Sequence, residues 1–489
     1  MKRKPQMGGR VLSVASEAVP LVKTGGLADV VGALPEALAP AGWDMRVMLP
    51  AYRALRGLLA KGNGFREVMR EEALFGGEAR VFAGEAGGLS LFLLDAPHLF
   101  DREGGPYHGP GGDWGDNPQR FATLSFMAAR VAREGVHLAR GKAWKPDVLH
   151  AHDWQAGLAP AYLAYHGSGG CASVITVHNI AFQGHAPARL LGELRLPAAE
   201  FHADALEYYG GLSLLKAGLI TADRITTVSP NYAAELMRPE FGLGLQGVLA
   251  ARSAVVSGIL NGIDTEIWSP EAEAVNAYSA TSLSGKAKAR AALQAEFGLS
   301  VPGPLAVLVS RLTDQKGVDL LPAALPDFIE GGGGLAVLGS GDAEAEAQML
   351  SLAARWPGRV SVRIGYDEAL SHRMFQGGDA VLVPSRFEPC GLTQMYGLRY
   401  GTIPVVAAVG GLADTVIPAS PAALNAGVAT GITFWPTDVL ALTQALRRLN
   451  ALYADQKTWA QLRRNAMGQE NGWAGSASAY AALYEGMLR

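Results

Sequence analysis

Arg311 and Lys316 share one short polar segment, Ser310-Arg311-Leu312-Thr313-Asp314-Gln315-Lys316-Gly317, directly behind the apolar run Leu305–Val309. Either cation alone would read as a solvated charge. Two from one strand-to-helix loop suit a diphosphate leaving group, because guanidinium and ammonium both bind phosphate oxygens through charge-assisted hydrogen bonds. A second polar segment, Ser385-Arg386-Phe387-Glu388-Pro389-Cys390-Gly391-Leu392-Thr393-Gln394, follows the apolar Val381–Pro384. Glu388 precedes a predicted helix whose first N–H groups belong to Cys390, Gly391 and Leu392, so a carboxylate stands beside an anion seat. It suits sugar hydroxyls, since a carboxylate repels phosphate. The pentapeptide Gly-Gly-Leu-Ala-Asp occurs twice, at Gly25-Gly26-Leu27-Ala28-Asp29 behind Lys23, and at Gly410-Gly411-Leu412-Ala413-Asp414. Each copy follows a short apolar run and precedes a helix start. A helix N-terminus behind a glycine turn collects backbone N–H groups and a positive dipole end around an anion, and glycine lets that backbone approach a ligand closely. One such turn is weak evidence. Two in opposite halves point to two similar nucleotide-fold domains over one charged ligand.

Other reactive residue types also follow apolar runs. His150-Ala151-His152-Asp153-Trp154 comes after Val148–Leu149, and His178-Asn179-Ile180-Ala181-Phe182-Gln183-Gly184 after Val174–Val177. Three histidines invite a zinc reading, yet no His-Glu-x-x-His or Cys-rich spacing accompanies them. They read as polar side chains lining a cleft. Cys390 reads as a small thiol buried at a helix start rather than a nucleophile. No Asp-x-Asp occurs, which weighs against a metal-dependent nucleotide-sugar site, and no Walker A lysine loop occurs, which weighs against ATP hydrolysis.

The elements that must position these residues are legible as apolar runs. They are Arg46–Pro50, Leu91–Leu94, Val148–His150, Ser173–Val177 and Ile225–Val228 in the first half. In the second they are Leu305–Ser310, Leu335–Gly339, Val360–Ile364, Ala380–Pro384 and Ile403–Ala407. Continuous apolarity predicts parallel strands covered on both faces. Between them lie helices with readable ends: Asn117 as N-cap with Pro118 in the first turn, and Lys286–Phe297 closing at Gly298. This βαβ alternation predicts doubly wound α/β domains that bind ligands at the carboxyl ends of their strands. The join is expected near Ser257–Asn261, with the two glycine turns on opposite walls of one cleft. The last segment, Ser476–Arg489, spaces Ala477, Tyr480, Leu483, Tyr484 and Met487 as one helix stripe, placed either on its own domain or back on the first.

Composition bounds the rest. The 489 residues are 49% hydrophobic and 18% charged, enough for two large cores and unlike a disordered chain. A net charge of −3 does not favour nucleic acid as the main partner. Two cysteines, Cys171 and Cys390, exclude a disulfide framework and suit a reducing compartment. The basic Met1-Lys2-Arg3-Lys4 start precedes an apolar stretch broken by Glu17 that reads as a first strand, not a signal peptide. No apolar run reaches membrane-spanning length, so a cytoplasmic protein without membrane contact is expected.

Taken in order, Lys23–Asp29, His150–Trp154, Thr176–Gly184, Asn261-Gly262-Ile263-Asp264, Ser310–Gly317, Gly365-Tyr366-Asp367-Glu368, Ser385–Gln394 and Gly410–Val416 resemble the bacterial glycogen synthases and plant starch synthases over essentially the whole chain. These are ADP-glucose-dependent α-1,4-glucosyltransferases. The resemblance implies an α/β GT-B architecture, with two Rossmann-like doubly wound domains facing across a deep cleft and a C-terminal helix crossing back. Residues 1–257 with 474–489 would form the acceptor side and 258–473 the donor side. It implies retaining transfer of glucose from ADP-glucose to glycogen or a malto-oligosaccharide, with no metal and no cofactor. Glu388, Lys316, Arg311, His178 and Asp153 would be catalytic. Arg311 and Lys316 would neutralise the departing diphosphate, Glu388 would lie near the donor glucose, and Asp153 and His178 would face the reacting sugar. Lys23, Gly25, Gly26, Cys390, Gly391, Leu392, Gly410 and Gly411 would hold the donor. Tyr366 would stack near the adenine, and Asp29 and Asn261 would shape the cleft.

Three departures from the family's pattern matter. Ala408-Val409 stands before the second glycine pair where Arg-Thr is usual, removing a hydroxyl donor and a cation. Asp314 places a carboxylate between Arg311 and Lys316, where it would temper their charge. Gly472-Trp473 replaces Ser/Thr-Trp, which would loosen the start of the last helix. Another GT-B transferase, a glucan phosphorylase and a glucan-binding protein without catalysis are the alternatives. The phosphorylase lacks its extended length and pyridoxal-phosphate lysine region here, and the intact Lys23, Arg311, Lys316 and Glu388 set argues against the binding protein.

Overall fold

The computed structural model describes residues 8–138 and 143–489; the Met1-Lys2-Arg3-Lys4 start lies outside the described residues. Contacts divide the chain into two compact units. One comprises the chain up to Val228, Ala233–Asn261 and Trp473–Arg489, the other Ser229–Tyr232 and Gly262–Gly472.

The first unit is built on β1 (Arg10–Val14), β2 (Asp44–Pro50), β3 (Arg66–Leu74), β4 (Gly77–Ala86), β5 (Leu89–Asp95), β6 (Val148–His152), β7 (Ala172–Val177), β8 (Arg224–Thr227) and β9 (Val256–Gly258). Their order is β9-β8-β7-β6-β1-β2-β5-β4-β3. The sheet is not wholly parallel as expected, because β4 runs antiparallel to both its neighbours. The reason is legible in β3, whose Arg and Glu residues are mostly solvent-facing. A charged edge strand needs no covering helix and resists further pairing. The first unit extends past residue 257, to the far end of the Ser257–Asn261 region. Val256–Gly258 pairs parallel with β8, so the first sheet ends there and its unit runs on to Asn261.

Helices α1 (Gly26–Leu38) and α2 (Asn117–Glu134) cover this sheet. Pro118 stands in the first turn of α2 as predicted, but the N-cap is Asp116, not Asn117. The Asn117 side chain is used instead between Tyr107 and Arg120, donating to the Tyr107 carbonyl at 2.9 Å and accepting from Arg120 at 2.6 Å.

The second unit has six parallel strands: β10 (Leu305–Val309), β11 (Gly334–Gly339), β12 (Val360–Ile364), β13 (Ala380–Val383), β14 (Ile403–Ala407) and β15 (Ile432–Phe434). Their order is β12-β11-β10-β13-β14-β15. Helix α3 (Ser284–Phe297) ends at Gly298, whose φ of 65° supplies the left-handed cap the sequence predicts. Two shorter helices, α4 (Thr393–Tyr400) and α5 (Gly410–Thr415), follow the strands β13 and β14.

The last helix, α6 (Trp473–Met487), belongs to the first unit. It buries Ala477, Tyr480, Ala481 and Tyr484 among Val11, Val30, Leu34, Leu38, Trp43 and Val148, with Trp473 packed alongside. Trp43 meets Tyr484 edge to face at 5.2 Å, a geometry the ring quadrupoles favour. Among the described residues, no helix is long and apolar enough to cross a membrane.

Strand order reverses twice. In the second unit it turns between β10 and β13, and in the first between β1 and β6. Loops diverge at such points and leave a crevice at the carboxyl ends, where open α/β sheets bind ligands. The loops behind these four strands carry most of the residues singled out above.

Candidate active site

In the first unit the loop behind β1 is organised by Glu17, which in the sequence only marks a break in an apolar stretch. Glu17 is 2% exposed. It accepts from both the backbone N–H and the hydroxyl of Thr24, and from the Tyr107 hydroxyl, which also meets Ser16 Oγ at 2.7 Å. An acid buried directly after a strand was the available signal. The loop it fixes delivers Lys23, whose Nζ pairs with Asp29 Oδ1 at 2.7 Å while remaining half-exposed. Gly25 caps α1 without a side chain, in extended backbone with φ −157°. Nothing lies within 4 Å of where a Cβ on Gly25 or Gly26 would stand. These glycines answer no left-handed turn; they leave the first turn of α1 open to approach.

Behind β6, Asp153 adopts a left-handed φ of 53°. Its Oδ1 accepts the His178 N–H at 2.6 Å and also the Asn179 N–H, while its own N–H donates to the Thr176 carbonyl at 2.9 Å. Asp153 thus turns one carboxylate oxygen onto the backbone of the loop behind β7, at His178 and Asn179. Burial raises its carboxyl to about 7, against the pull of the two N–H groups.

The three histidines form one buried cluster. His178 Nε2 meets His152 Nδ1 at 2.9 Å, and His152 Nε2 meets Ser13 Oγ at 3.1 Å. His150 bonds Tyr484 Oη of α6 at 2.7 Å and Thr176 Oγ1 at 2.6 Å. Burial lowers His150 and His178 to about 3 and His152 well below its ordinary value, so all three are neutral. Among the described residues no group of His, Cys, Asp and Glu is arranged to hold a metal ion. Asn261, where the chain leaves this unit, is buried, and its Oδ1 has no hydrogen-bond partner among the described residues.

In the second unit, the loops behind β10 and β13 converge. Lys316 Nζ lies 2.5 Å from Glu388 Oε2, and Ser385 Oγ donates to the same oxygen at 2.9 Å. Arg311 is exposed and donates to Gln315 Oε1 at 3.3 Å; among the described residues no carboxylate pairs with it. Asp314 does not sit between the two cations. Its carboxylate is turned to Arg386 at 3.2 Å, and Arg386 forks onto Asp319 with two bonds of 2.7 Å.

Two expectations for this unit change. Cys390, Gly391 and Leu392 precede α4, with Leu392 as its N-cap, so they form a loop rather than the helix's first turn. Cys390 is buried as expected. The Gly391 backbone is left-handed, φ 73°, and Gln394 Nε2 donates to the Cys390 and Gly391 carbonyls at 3.1 and 2.8 Å. The second glycine pair also differs from the first. The Gly411 N–H donates to the Glu388 and Pro389 carbonyls at 3.1 and 3.2 Å. A Cβ on Gly410 would overlap the Glu388 carbonyl, and one on Gly411 the Cys390 backbone. Gly411 spends its donor on protein, and both glycines exist to let α5 press against the Glu388 loop. The Pro389 carbonyl also accepts from Ser229 Oγ at 2.7 Å, and Asp414 Oδ2 accepts the Asn231 N–H at 2.7 Å. Tyr366, behind β12, is 79% exposed, with its hydroxyl on Glu368 at 2.8 Å.

Comparison with known proteins gives the geometry its family. Residues 10–251 match the starch synthase catalytic domain and residues 290–468 match glycosyl transferases group 1. A glycogen synthase from Cereibacter sphaeroides is 69% identical over 480 residues, covering 98% of this chain and 99% of the relative. The chain belongs to the glycogen synthase family. A second glycogen synthase, from Paracoccus denitrificans, is 58% identical over the same share of the chain. Among solved structures, the catalytic domain of starch synthase IV from Arabidopsis thaliana, bound to ADP and acarbose, superposes with a TM-score of 0.83 at 31% identity, covering 98% of this chain and 99% of that one. The fold is therefore the two-domain α/β architecture of GT-B glycosyltransferases. Lys23, the histidine cluster, Lys316 and Glu388 all lie within residues matched to this glycogen and starch synthase family.

Proposed function

We propose that this chain transfers glucose from ADP-glucose to the non-reducing end of an α-1,4-glucan, glycogen or a malto-oligosaccharide, with retention at the anomeric carbon. The observation that carries the reading is the Lys316–Glu388 contact of 2.5 Å at the carboxyl ends of β10 and β13, with Arg311 in the same loop bonded to Gln315 and, among the described residues, to no carboxylate. Relatives named glycogen synthase and a starch synthase IV structure bound to ADP and acarbose support the donor and acceptor classes.

As the bond from C1 to the β-phosphate oxygen breaks, positive charge develops on the sugar and negative charge on the departing diphosphate. Arg311 and Lys316 are cations fixed before the reaction, so they stabilise that charge without reorganisation. They take the role a divalent metal fills in other transferases, and we infer that neither metal nor cofactor is required. Lys23 exchanges Asp29 for a donor phosphate, over the open first turn of α1. Tyr366 offers an exposed ring face to the adenine. Glu388, held by Lys316 and Ser385, accepts from donor glucose hydroxyls. Retaining glycosidases use a second carboxylate as a free nucleophile. Glu388 Oε2 already accepts two hydrogen bonds, so we favour attack by the acceptor hydroxyl on the face the diphosphate leaves. The acceptor O4–C1 bond forms, the C1–phosphate bond breaks, and the acceptor proton passes to the diphosphate. Neutral His178, oriented through Asp153 and His152, bonds a hydroxyl of the reacting sugar. Two free, buried cysteines suit a reducing compartment, and we place the protein in the cytoplasm.

The test is incorporation of radiolabelled glucose into glycogen, with ADP-glucose and UDP-glucose supplied in parallel and a chelator present. Strong incorporation from ADP-glucose alone supports the donor and the metal-free site. Preference for UDP-glucose overturns the donor, and silence with both overturns the transferase.

A further inference from the structure

The His178 loop leads into a small three-stranded sheet, His185–Pro187, Glu207–Tyr208 and Gly211–Ser213, that presents aromatic side chains to solvent. Tyr209, in its turn, is 83% exposed; Phe182, in the His178 loop itself, is 55% exposed, and Leu243 is 48% exposed. Scattered apolar residues at a surface need no explanation, but Tyr209 and Leu243 stand on segments that are drawn together. Tyr208 Oη donates to the Leu243 carbonyl at 2.7 Å, and Gln183 Nε2 donates to the same oxygen at 3.0 Å. Tyr209 stands edge-on to Tyr208 at 4.7 Å, and Tyr208 stacks on His185 at 5.4 Å. Gly244 closes against both tyrosines: a Cβ there would stand 2.6 Å from Tyr208 Oη and 3.1 Å from the Tyr209 ring. Three segments thus hold one rigid aromatic platform.

Its backbone is strained where it is most exposed. Tyr209 has φ 47° and Leu243 φ 46°, each immediately before a glycine with positive φ. Glycine would relieve both positions, since a Cβ is penalised in the left-handed region. Neither side chain repays the fold with burial. Strain retained together with exposed apolar surface points to a ligand rather than to packing.

We propose that Tyr209, with Tyr208 and Leu243, forms an acceptor subsite that stacks on the pyranose rings of an α-glucan. A pyranose presents a face of C–H groups and a rim of hydroxyls. An aromatic ring takes the face by dispersion and release of water, while the tyrosine hydroxyls and the His185 imidazole stand ready for the rim. The inference rests on the glucan-acceptor reading above, and it places part of that acceptor on the small sheet into which the His178 loop leads.

The experiment is Tyr209→Gly in the full chain, with maltoheptaose titrated calorimetrically in the absence of donor, and melting temperature and wild-type glucosyl transfer measured alongside. Glycine suits φ 47°, so the melting temperature should hold or rise, while maltoheptaose affinity falls about tenfold, the scale of one lost aromatic contact. The KM for maltoheptaose should rise without a change in donor KM, and Tyr209→Phe should restore binding. A Tyr209→Gly protein that binds maltoheptaose like the wild type overturns the subsite, even where the wild type is an active transferase. So does a wild-type dimer that Tyr209→Gly dissociates without loss of glucan affinity, which would assign the platform to a second copy of the chain. A wild type that neither binds maltoheptaose nor transfers glucose overturns the functional reading and the subsite together.

Discussion

Lys316 Nζ and Glu388 Oε2 are 2.5 Å apart, with Ser385 Oγ bonded to the same carboxylate oxygen at 2.9 Å. The contact joins two loops from opposite sides of a strand-order reversal, so each residue aims the other. Replacing Lys316 by Ala removes a cation from the leaving group and a partner from Glu388. Turnover should fall about a hundredfold or more, the usual loss for one charge-stabilising donor. The side chains of Lys316 and Glu388 are 18% and 10% exposed, so water reaches the carboxylate and the stability loss should stay near 1–2 kcal/mol. Turnover by ADP release, with a melting curve on the same sample, checks this. Wild-type-like turnover in a folded Lys316→Ala protein would remove Lys316 from the mechanism.

The repeated glycine pair offers an internal contrast. Gly25 stands in extended backbone with open space where a Cβ would go, whereas Gly410 has φ 44° and lies against the Glu388 carbonyl. Gly25→Ala should leave stability within about 0.5 kcal/mol of wild type, as a substitution that touches nothing. Its methyl would stand where the donor approaches, so the donor KM should rise. Gly410→Ala should cost about 2 kcal/mol or more through strain and overlap, and lower kcat by displacing Glu388. Urea unfolding and initial rates for both variants test the pair. Equal stability losses would show that the two copies do the same work.

That contrast also marks how far sequence could reach. The strands behind which Arg311, Lys316, Glu388 and the histidines stand are short, continuous apolar runs followed by polar clusters, and both signals are local. Two identical pentapeptides, however, carry no sign that one leaves a helix start open while the other is packed against the Glu388 loop. That difference is set by α5 meeting a segment distant in sequence. Glu17 was visible as an acid in an apolar stretch, but its three donors come from Thr24 and Tyr107, and no spacing rule joins them. Strands β3 and β4 lack the continuous apolar run of the others: β3 is a charged edge strand, and β4 alternates buried with half-buried residues. Ser229 reaches the Pro389 carbonyl across most of the second unit's sequence, a contact without any local signature.

The last helix bears on the histidine cluster through one bond. Tyr484 Oη and His150 Nδ1 are 2.7 Å apart, both fully buried. Tyr484→Phe keeps the ring against Trp43 and removes the hydroxyl, leaving a buried ring nitrogen without its partner. The expected loss is about 1–3 kcal/mol, the penalty for an unsatisfied buried polar group. A chemical denaturation midpoint unchanged in Tyr484→Phe would mean that water or another group takes the bond.

The same cluster should make stability depend on pH with a definite sign. His150 and His178 are lowered from 6.5 to about 3 in the folded chain, so the unfolded chain binds more protons between those limits. Stability is lost as pH falls below 6.5, by about 1.4 kcal/mol per pH unit for each histidine held neutral. His152, lowered further by burial, adds in the same direction. Asp153 opposes them. Its carboxyl is raised from 3.8 to about 7, so the folded chain binds the extra proton and gains stability as pH falls through that window. One carboxyl against three histidines leaves a net loss below 6.5, and Asp153 alone tilts the curve downward as pH rises toward 7. Melting temperatures measured from pH 5 to 8 should peak near 6.5 and drop steeply toward 5. Asp153→Asn keeps an oxygen for the His178 N–H but cannot ionise. It should therefore steepen the acid limb and be more stable relative to wild type at pH 8 than at pH 5. A flat profile from 7 to 5 in the wild type would show that the histidines titrate in the folded chain, and would end their role as neutral hydrogen-bond partners.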